Sequence, residues 1–296
     1  FSGCILVAHD CQYHFHGALL SAALRRHKSY FCLQYKHLSG KWQTFSVKKM
    51  KDQERFIWAK EKITGKDRER NGIGTLSEKT VHAILKSYYA PDESMHEIPI
   101  GGCVADIYTG EEILEIQTRS FDRLREKLDR FLPICPVTIV YPIPHEKRLI
   151  WIDEETGELS SPRKSPLTGN PYMAFKELYR IRNYLLRDGL HLKLVLLDME
   201  EYRLLNGWSR DKKKGSTRFD RIPTRIVEEV SIDCPQDYMQ FVPYDLEEPF
   251  TFREFAGKAH IRPALAQSAL PILMDAGVVE RVGKKGRAYL YRVHED

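Results

Sequence analysis

HEIPIGGCVADIYTGEEILEIQTRSF, residues 96–121, is the stretch that decides the fold. Ile98, Ile100, Val104, Ile107, Ile113, Leu114 and Ile116 favour extended backbone. Gly101-Gly102 and Thr109-Gly110 are turn signals between the extended segments. A hairpin turning between Tyr108 and Glu112 returns Asp106 beside Glu115. Alternate side chains of a strand share a face, so Glu115 and Gln117 point one way and Ile116 the other. Two carboxylates meeting next to an amide suit a hard divalent cation, because magnesium takes oxygen ligands and keeps several waters.

A helix is expected on each side of this hairpin. Thr75-Leu76-Ser77-Glu78 has the spacing of a capping box and opens a helix through Tyr89. Val81, Ile84, Leu85 and Tyr88 form its apolar stripe, and Glu78 and His82 share a face one turn apart. After Gln117, Ser120 is placed to cap a helix on which Phe121, Leu124, Leu128 and Phe131 recur at helical spacing. Arg119, Arg123, Arg125, Lys127 and Arg130 are expected on its outer faces. Arg119, two residues past Gln117, is within reach of a phosphate near the carboxylates. VTIVYPI, residues 137–143, then reads as a buried strand from its unbroken apolar run.

Asp, a short spacer and Glu-x-Lys on the next strand form the signature of the PD-(D/E)XK nuclease superfamily. The present chain resembles the Glu-x-Gln variant of that pattern, as in competence-associated nucleases with ADx…EIQ. The resemblance covers about residues 75–143. It implies an α/β fold with a restriction-endonuclease-like core, a central mixed sheet flanked by helices. It implies metal-dependent hydrolysis of DNA phosphodiesters, with Mg2+ or Mn2+ held by Asp106, Glu115, the Ile116 carbonyl and Glu78. Gln117 stands at the Lys position without its charge, and would orient a water or a phosphate. The DNA could be duplex, branched or single-stranded, and a homodimer is open. Recombination, repair, mobile-element and defence roles are all compatible. Two rival readings are a catalytically inactive DNA-binding regulator on the same fold and an RNA-processing nuclease.

Three domains are expected: a basic appendage at 1–72, the nuclease-like core at 73–245 and a tail at 246–296. In the appendage, Gly17–Arg26 reads as a short helix, residues 29–47 as a hairpin turning at Ser39-Gly40, and residues 48–63 as an amphipathic helix. Cationic side chains crowd this region, as a phosphate-binding surface requires. In the core, residues 148–153 suggest a strand separate from 137–143, and residues 171–186 one strong helix. Arg163 and Lys164 lie in a loop rich in Pro, Ser and Gly. Arg210, Lys212, Lys213, Lys214 and Arg218 lie in a second basic loop with Trp208 and Phe219, a composition suited to single-stranded nucleic acid. The tail reads as helix, turn, helix and a hairpin with Lys284, Lys285 and Arg287 at its tip. That order resembles a winged helix, whose second helix would read a groove.

The formal charge of +5 is mild for the whole chain, so local patches matter more than the total. The six cysteines are scattered without a C-x-x-C pair, which fits a reduced cytoplasmic protein better than a disulfide scaffold. No apolar run reaches the ~18 residues of a membrane span.

Overall fold

Alternating apolar residues and glycine-bearing turns at Gly101-Gly102 and Gly110 produce the hairpins of residues 96–116. The computed structural model describes residues 12–15, 18–27, 30–36, 42–45, 51–68, 79–206 and 215–294. Two compact units are present, Phe1–Arg55 and Phe56–Asp296. The first holds an antiparallel sheet of β1 (Gln12–Phe15), β2 (Ala18–His27), β3 (Tyr30–Lys36) and β4 (Trp42–Phe45), paired in chain order. The helix expected at Gly17–Arg26 is therefore a strand. Backbone pairing with neighbours on both sides, Leu20 with Tyr13 and Leu24 with Leu33, overrides the helix propensity of its Ala and Leu residues.

The second unit, which the chain enters within α1 (Lys51–Arg68), continues through α2 (Lys79–Tyr89), β5 (His96–Ile100), β6 (Cys103–Tyr108), β7 (Ile113–Ile116), α3 (Arg125–Phe131), β8 (Val137–Asp153), β9 (Arg163–Lys164), α4 (Phe175–Leu178), β10 (Leu190–Leu205) and β11 (Thr217–Ile232). Its sheet is mixed and seven-stranded, in the order β11-β10-β8-β7-β6-β5, with β9 joined to β8. β8 runs parallel to both β7 and β10, and the remaining pairs are antiparallel. Both faces are covered. Ile139, Ile143, Leu192 and Leu194 pack under Leu124, Leu128 and Phe131 on one face. On the other, Val140, Val195 and Leu197 meet Phe56 of α1 and Val81, Ile84 and Leu85 of α2. That double burial explains the near-continuous apolar run of β8 and β10.

The two strands expected at 137–143 and 148–153 are one 17-residue strand. Pro142 and Pro144 do not end it. Its edge beyond β7 is free for β9, and the loop that follows returns onto it. Gly169 allows that return: its N–H donates to the His145 carbonyl at 2.8 Å, and a Cβ there would lie 1.9 Å from the Pro144 oxygen. The single helix expected from Pro171 is broken into 3-10 turns around α4, with Ile181 at φ −115°, ψ 24°. Tyr172, Phe175 and Ile181 nonetheless face the core, so burial keeps the apolar stripe while bending the backbone.

The tail comprises α5 (Phe252–Lys258), α6 (Pro263–Asp275), β12 (Val279–Lys285) and β13 (Ala288–Val293). Thr251 and Glu254 form the expected capping box, at 3.3 Å and 2.6 Å. Pro271 lies inside α6, which continues through it. Phe255, Ala266, Leu270 and Leu273 belong to the same apolar cluster as Leu128 and Phe175. The tail is thus built into the core of this unit. No helix among the described residues is long and apolar enough to cross a membrane.

Candidate functional site

The β5–β6 turn passes through Gly101 (φ 57°) and Gly102 (φ 80°), a conformation that glycine adopts without steric cost. The β6–β7 turn closes with Thr109 N–H donating to the Glu112 carbonyl at 3.0 Å. β6 and β7 pair at Tyr108–Ile113 and Ile107–Leu114. Continued by one residue, that register sets Asp106 opposite Glu115. The backbone ladder stops there and side chains take it over. Glu115 Oε1 accepts from the Asp106 N–H at 3.1 Å, and Asp106 Oδ2 accepts from the Ile116 N–H at 2.9 Å. The two carboxylates fill the gap where the strands part. Glu97, between the paired residues of β5 that flank the level of Asp106, has φ 54°.

One cationic or titratable group approaches the pair from each face. His82 Nε2 of α2 lies 3.0 Å from Asp106 Oδ2, and Lys127 Nζ of α3 lies 2.7 Å from Glu115 Oε2. Glu115 is only 2% exposed. Burial, and then the neighbouring Asp106 charge, push its carboxyl up to about 7, against the opposing pull of Lys127. Burial also opposes the charge on Asp106, but His82 and the Ile116 N–H outweigh it and hold this carboxyl below the usual range. The division is that of two close carboxylates in one low-dielectric site: one keeps its charge and the other resists ionisation.

Lys127 was expected on an outer face of its helix. It lies three residues after Leu124 and four before Phe131, so it shares their buried stripe and reaches Glu115. A lone cation on an apolar stripe is the sequence signal that identifies it. Ser120 does not cap the helix. It takes φ 57°, its side chain makes no cap hydrogen bond, and a 3-10 turn at Phe121–Leu124 leads into α3. Gln117 does not join the carboxylates by a hydrogen bond. Its amide nitrogen donates to the carbonyls of Arg119 and Ser120, closing the turn behind the site. Glu78 lies outside the described residues. Among the described residues, no group of three or more His, Cys, Asp and Glu side chains is assembled to hold a metal.

The donors that are present fit a hydrated hard cation. Magnesium commonly takes one or two protein carboxylates and keeps its waters. Asp106 Oδ1 accepts no hydrogen bond among the described residues, and a cation beside Glu115 would favour the ionised carboxylate that burial and the Asp106 charge disfavour.

The expected nucleic-acid contacts are dispersed. Arg119 and Arg123 are exposed around the turn after Gln117. Arg163 and Lys164 form β9, where Lys164 pairs with Glu146 at 2.5 Å. Arg218 is exposed on β11, while Arg210, Lys212, Lys213 and Lys214 lie outside the described residues. Lys284, Lys285 and Arg287 are exposed at the β12–β13 turn, with Lys284 Nζ 5.0 Å from the Tyr289 ring centre.

The stretch from α2 through β11, with all of this geometry, coincides with a family match. Residues 79–233 of the 296-residue chain match the model of a family described as "Domain of unknown function (DUF8091)". The chain belongs to this family. Within its DUF8091 domain fall His82, Asp106, Glu115 and Lys127, while α5, α6 and the last hairpin follow it. A protein of Treponema pallidum (strain Nichols), described as uncharacterized, is 28% identical over 232 residues, covering 74% of this chain and 87% of the relative. No solved structure matches the chain.

Proposed function

We propose that this protein is a divalent-metal-dependent nuclease acting on DNA, built on a restriction-endonuclease-like core with a winged-helix-like tail. The observation that carries the reading is the meeting of Asp106 and Glu115 where β6 and β7 part, with Lys127 2.7 Å from Glu115. Asp106 and Glu115 would hold Mg2+ or Mn2+, with the Ile116 carbonyl and Glu78 as further ligands. A metal held there supplies Lewis-acid stabilisation of a phosphodiester and acidifies water. His82 fixes the orientation of Asp106. Lys127 provides, from α3, the ammonium that the Glu-x-Gln strand lacks, in position to donate to a phosphate oxygen or an attacking water. Gln117 shapes the turn that presents Arg119 and Arg123 to the DNA backbone.

One observation favours the inactive-regulator reading. Asp106 Oδ2 and both oxygens of Glu115 already accept hydrogen bonds within the protein. A cleavage panel decides between them: duplex, single-stranded and branched DNA and an RNA strand, each with Mg2+ or Mn2+, beside Asp106→Ala and Lys127→Ala. Metal-dependent DNA cleavage lost in both variants is the expected result. Binding without cleavage under every condition overturns catalysis in favour of a regulator, and cleavage of RNA alone moves the substrate class.

A further inference from the structure

Glu201, toward the C-terminal end of β10, is 2% exposed and meets three cations. Lys147 Nζ and Arg221 Nε donate to its Oε2 at 3.2 Å and 3.0 Å, and Arg203 Nη1 donates to its Oε1 at 2.8 Å. One carboxylate cannot neutralise three cations, so the cluster carries an excess of about two positive charges. A single arginine would have satisfied Glu201, and each added cation repels the others.

The donors of this cluster are only partly used. Arg203 also donates to Ser216, through Nε to the hydroxyl at 3.2 Å and through Nη2 to the carbonyl at 3.4 Å. Arg221 spends only Nε on Glu201, which leaves both terminal nitrogens of its fork without a partner among the described residues. Lys147 has further N–H groups to give. The side chains of Arg203 and Arg221 are 28% exposed and that of Lys147 is 18% exposed, so solvent reaches all three. Glu177, the carboxylate that bears on nearby Tyr141, already accepts from the Phe121 N–H and pairs with Arg180.

The face on which these groups stand is defined. Tyr202 and Ile222 turn toward Lys60 and Thr64 of α1. Glu201, Arg203 and Arg221 alternate with them along β10 and β11, and so point to the opposite face. On that side Arg221 acts electrostatically on the Tyr141 phenol, whose ring lies 5.0 Å from Phe121, just past the Gln117 turn. Cross-strand pairing extends the row: Arg163 of β9 stands opposite Leu149, Leu149 opposite Glu201, and Trp151 opposite Arg203. The cluster therefore follows the carboxylate site along the sheet, beyond the carboxyl end of β7, on the face that carries Lys127.

We propose that Lys147, Arg203 and Arg221, held in place by buried Glu201, form a phosphate-binding site that grips the backbone of a nucleic-acid strand, with Trp151 beside it to stack a base. An open guanidinium fork next to an ammonium matches the tetrahedral oxygens of a phosphate, and an aromatic beside cations suits a single strand. Glu201 orients the three side chains before the strand arrives. The phosphate chemistry stands on the cluster itself, and its assignment to nucleic acid rests on the function proposed above.

The test is a titration of a fluorescent single-stranded DNA oligonucleotide in EDTA across a range of salt, with the parent, Arg203→Gln and Arg221→Gln. A parallel arm follows the melting temperature of each protein with inorganic pyrophosphate. The expected result is about tenfold weaker DNA binding in each variant, a salt slope shallower by roughly 0.7 for each phosphate no longer gripped, and pyrophosphate stabilisation of the parent alone. If the parent binds DNA and both variants match its affinity and slope, the phosphate site is wrong while the nuclease reading stands. If pyrophosphate stabilises only the parent but no DNA binds, the site stands and the nucleic-acid reading falls. Equal stabilisation of parent and variants by pyrophosphate also overturns the site. Should either arginine variant fail to fold, Lys147→Gln leaves both Arg–Glu pairs intact and carries the same comparison.

Discussion

Glu115→Gln should change the pH dependence of stability in a direction opposite to that of an ordinary salt-bridged carboxylate. Glu115 titrates near 4.5 when unperturbed and at about 7 in the fold. Between those values the folded protein keeps a proton that the unfolded chain has released. Stability from this group is therefore fully present below about 4.5 and is lost as pH rises through about 7. At 1.36 kcal/mol for each pKa unit, the loss is about 3 kcal/mol. Glu115 is 2% exposed, so solvent screening does not reduce it appreciably. Glutamine keeps the shape and carries no charge at any pH. Any fixed cost of its altered hydrogen bond to Lys127 cancels when the same pair of proteins is compared at two pH values. In chelator, the stability difference between variant and parent should thus move by about 2 to 3 kcal/mol in favour of the variant from pH 5 to pH 8, since part of the loss has already occurred at pH 5. For a unit of this size that is roughly 5–10 °C in melting temperature. Thermal and urea melts of both proteins at pH 5, 6.5 and 8 provide the measurement. Parallel pH profiles would refute the placement of Glu115 as a buried carboxylate crowded by Asp106.

Four further outcomes are expected. Lys127→Met removes the partner of a buried carboxylate and should cost about 3 kcal/mol at pH 8, read by urea melts, and abolish cleavage of any DNA the parent cuts. Gln117→Ala should loosen the turn at Arg119 and Ser120, lowering stability by about 1 kcal/mol, while leaving calorimetric metal affinity near that of the parent. Leu270→Ala should cost about 3 kcal/mol and lower one common transition, because α6 shares its core with α3 and α4; a separate early transition of the tail would contradict that packing. Replacing Lys284, Lys285 and Arg287 together by Gln should weaken DNA binding and flatten its salt dependence by up to about three phosphates' worth, with an unchanged melting temperature.

The hairpin of the candidate site was legible because its information is local. Two glycine-bearing turns fix the register, and the register sets Asp106 opposite Glu115. The direction of Lys127 was less legible: four basic residues follow Ser120 along that helical stretch, and only the positions of Leu124 and Phe131 single out the one that turns inward. Gln117 was read by strand alternation, but β7 ends at Ile116, and its amide serves the turn that follows. His82 sat on the face predicted for Glu78, yet its partner is 24 residues away and is set by how α2 lies on the sheet. Long-range packing also explains the larger departures. Residues 137–143 and 148–153 read as two strands, whereas pairing with β10 carries β8 through both as one. The tail read as a separate module because its own capping and turn signals are complete, and its shared core with Phe175 has no local signature. Glu201 and its three cations come from β8, β10 and β11, and only the sheet brings them together.

The central claim is that Asp106 and Glu115 form a metal site without a contribution from the Gln117 side chain. Calorimetric titration of Mn2+ into the parent, Asp106→Asn, Glu115→Gln and Gln117→Ala tests it most directly. The expected result is one ion bound per chain in the parent and in Gln117→Ala, and none in either carboxylate variant. Equal Mn2+ binding by the parent and Asp106→Asn, or none by the parent, would contradict it.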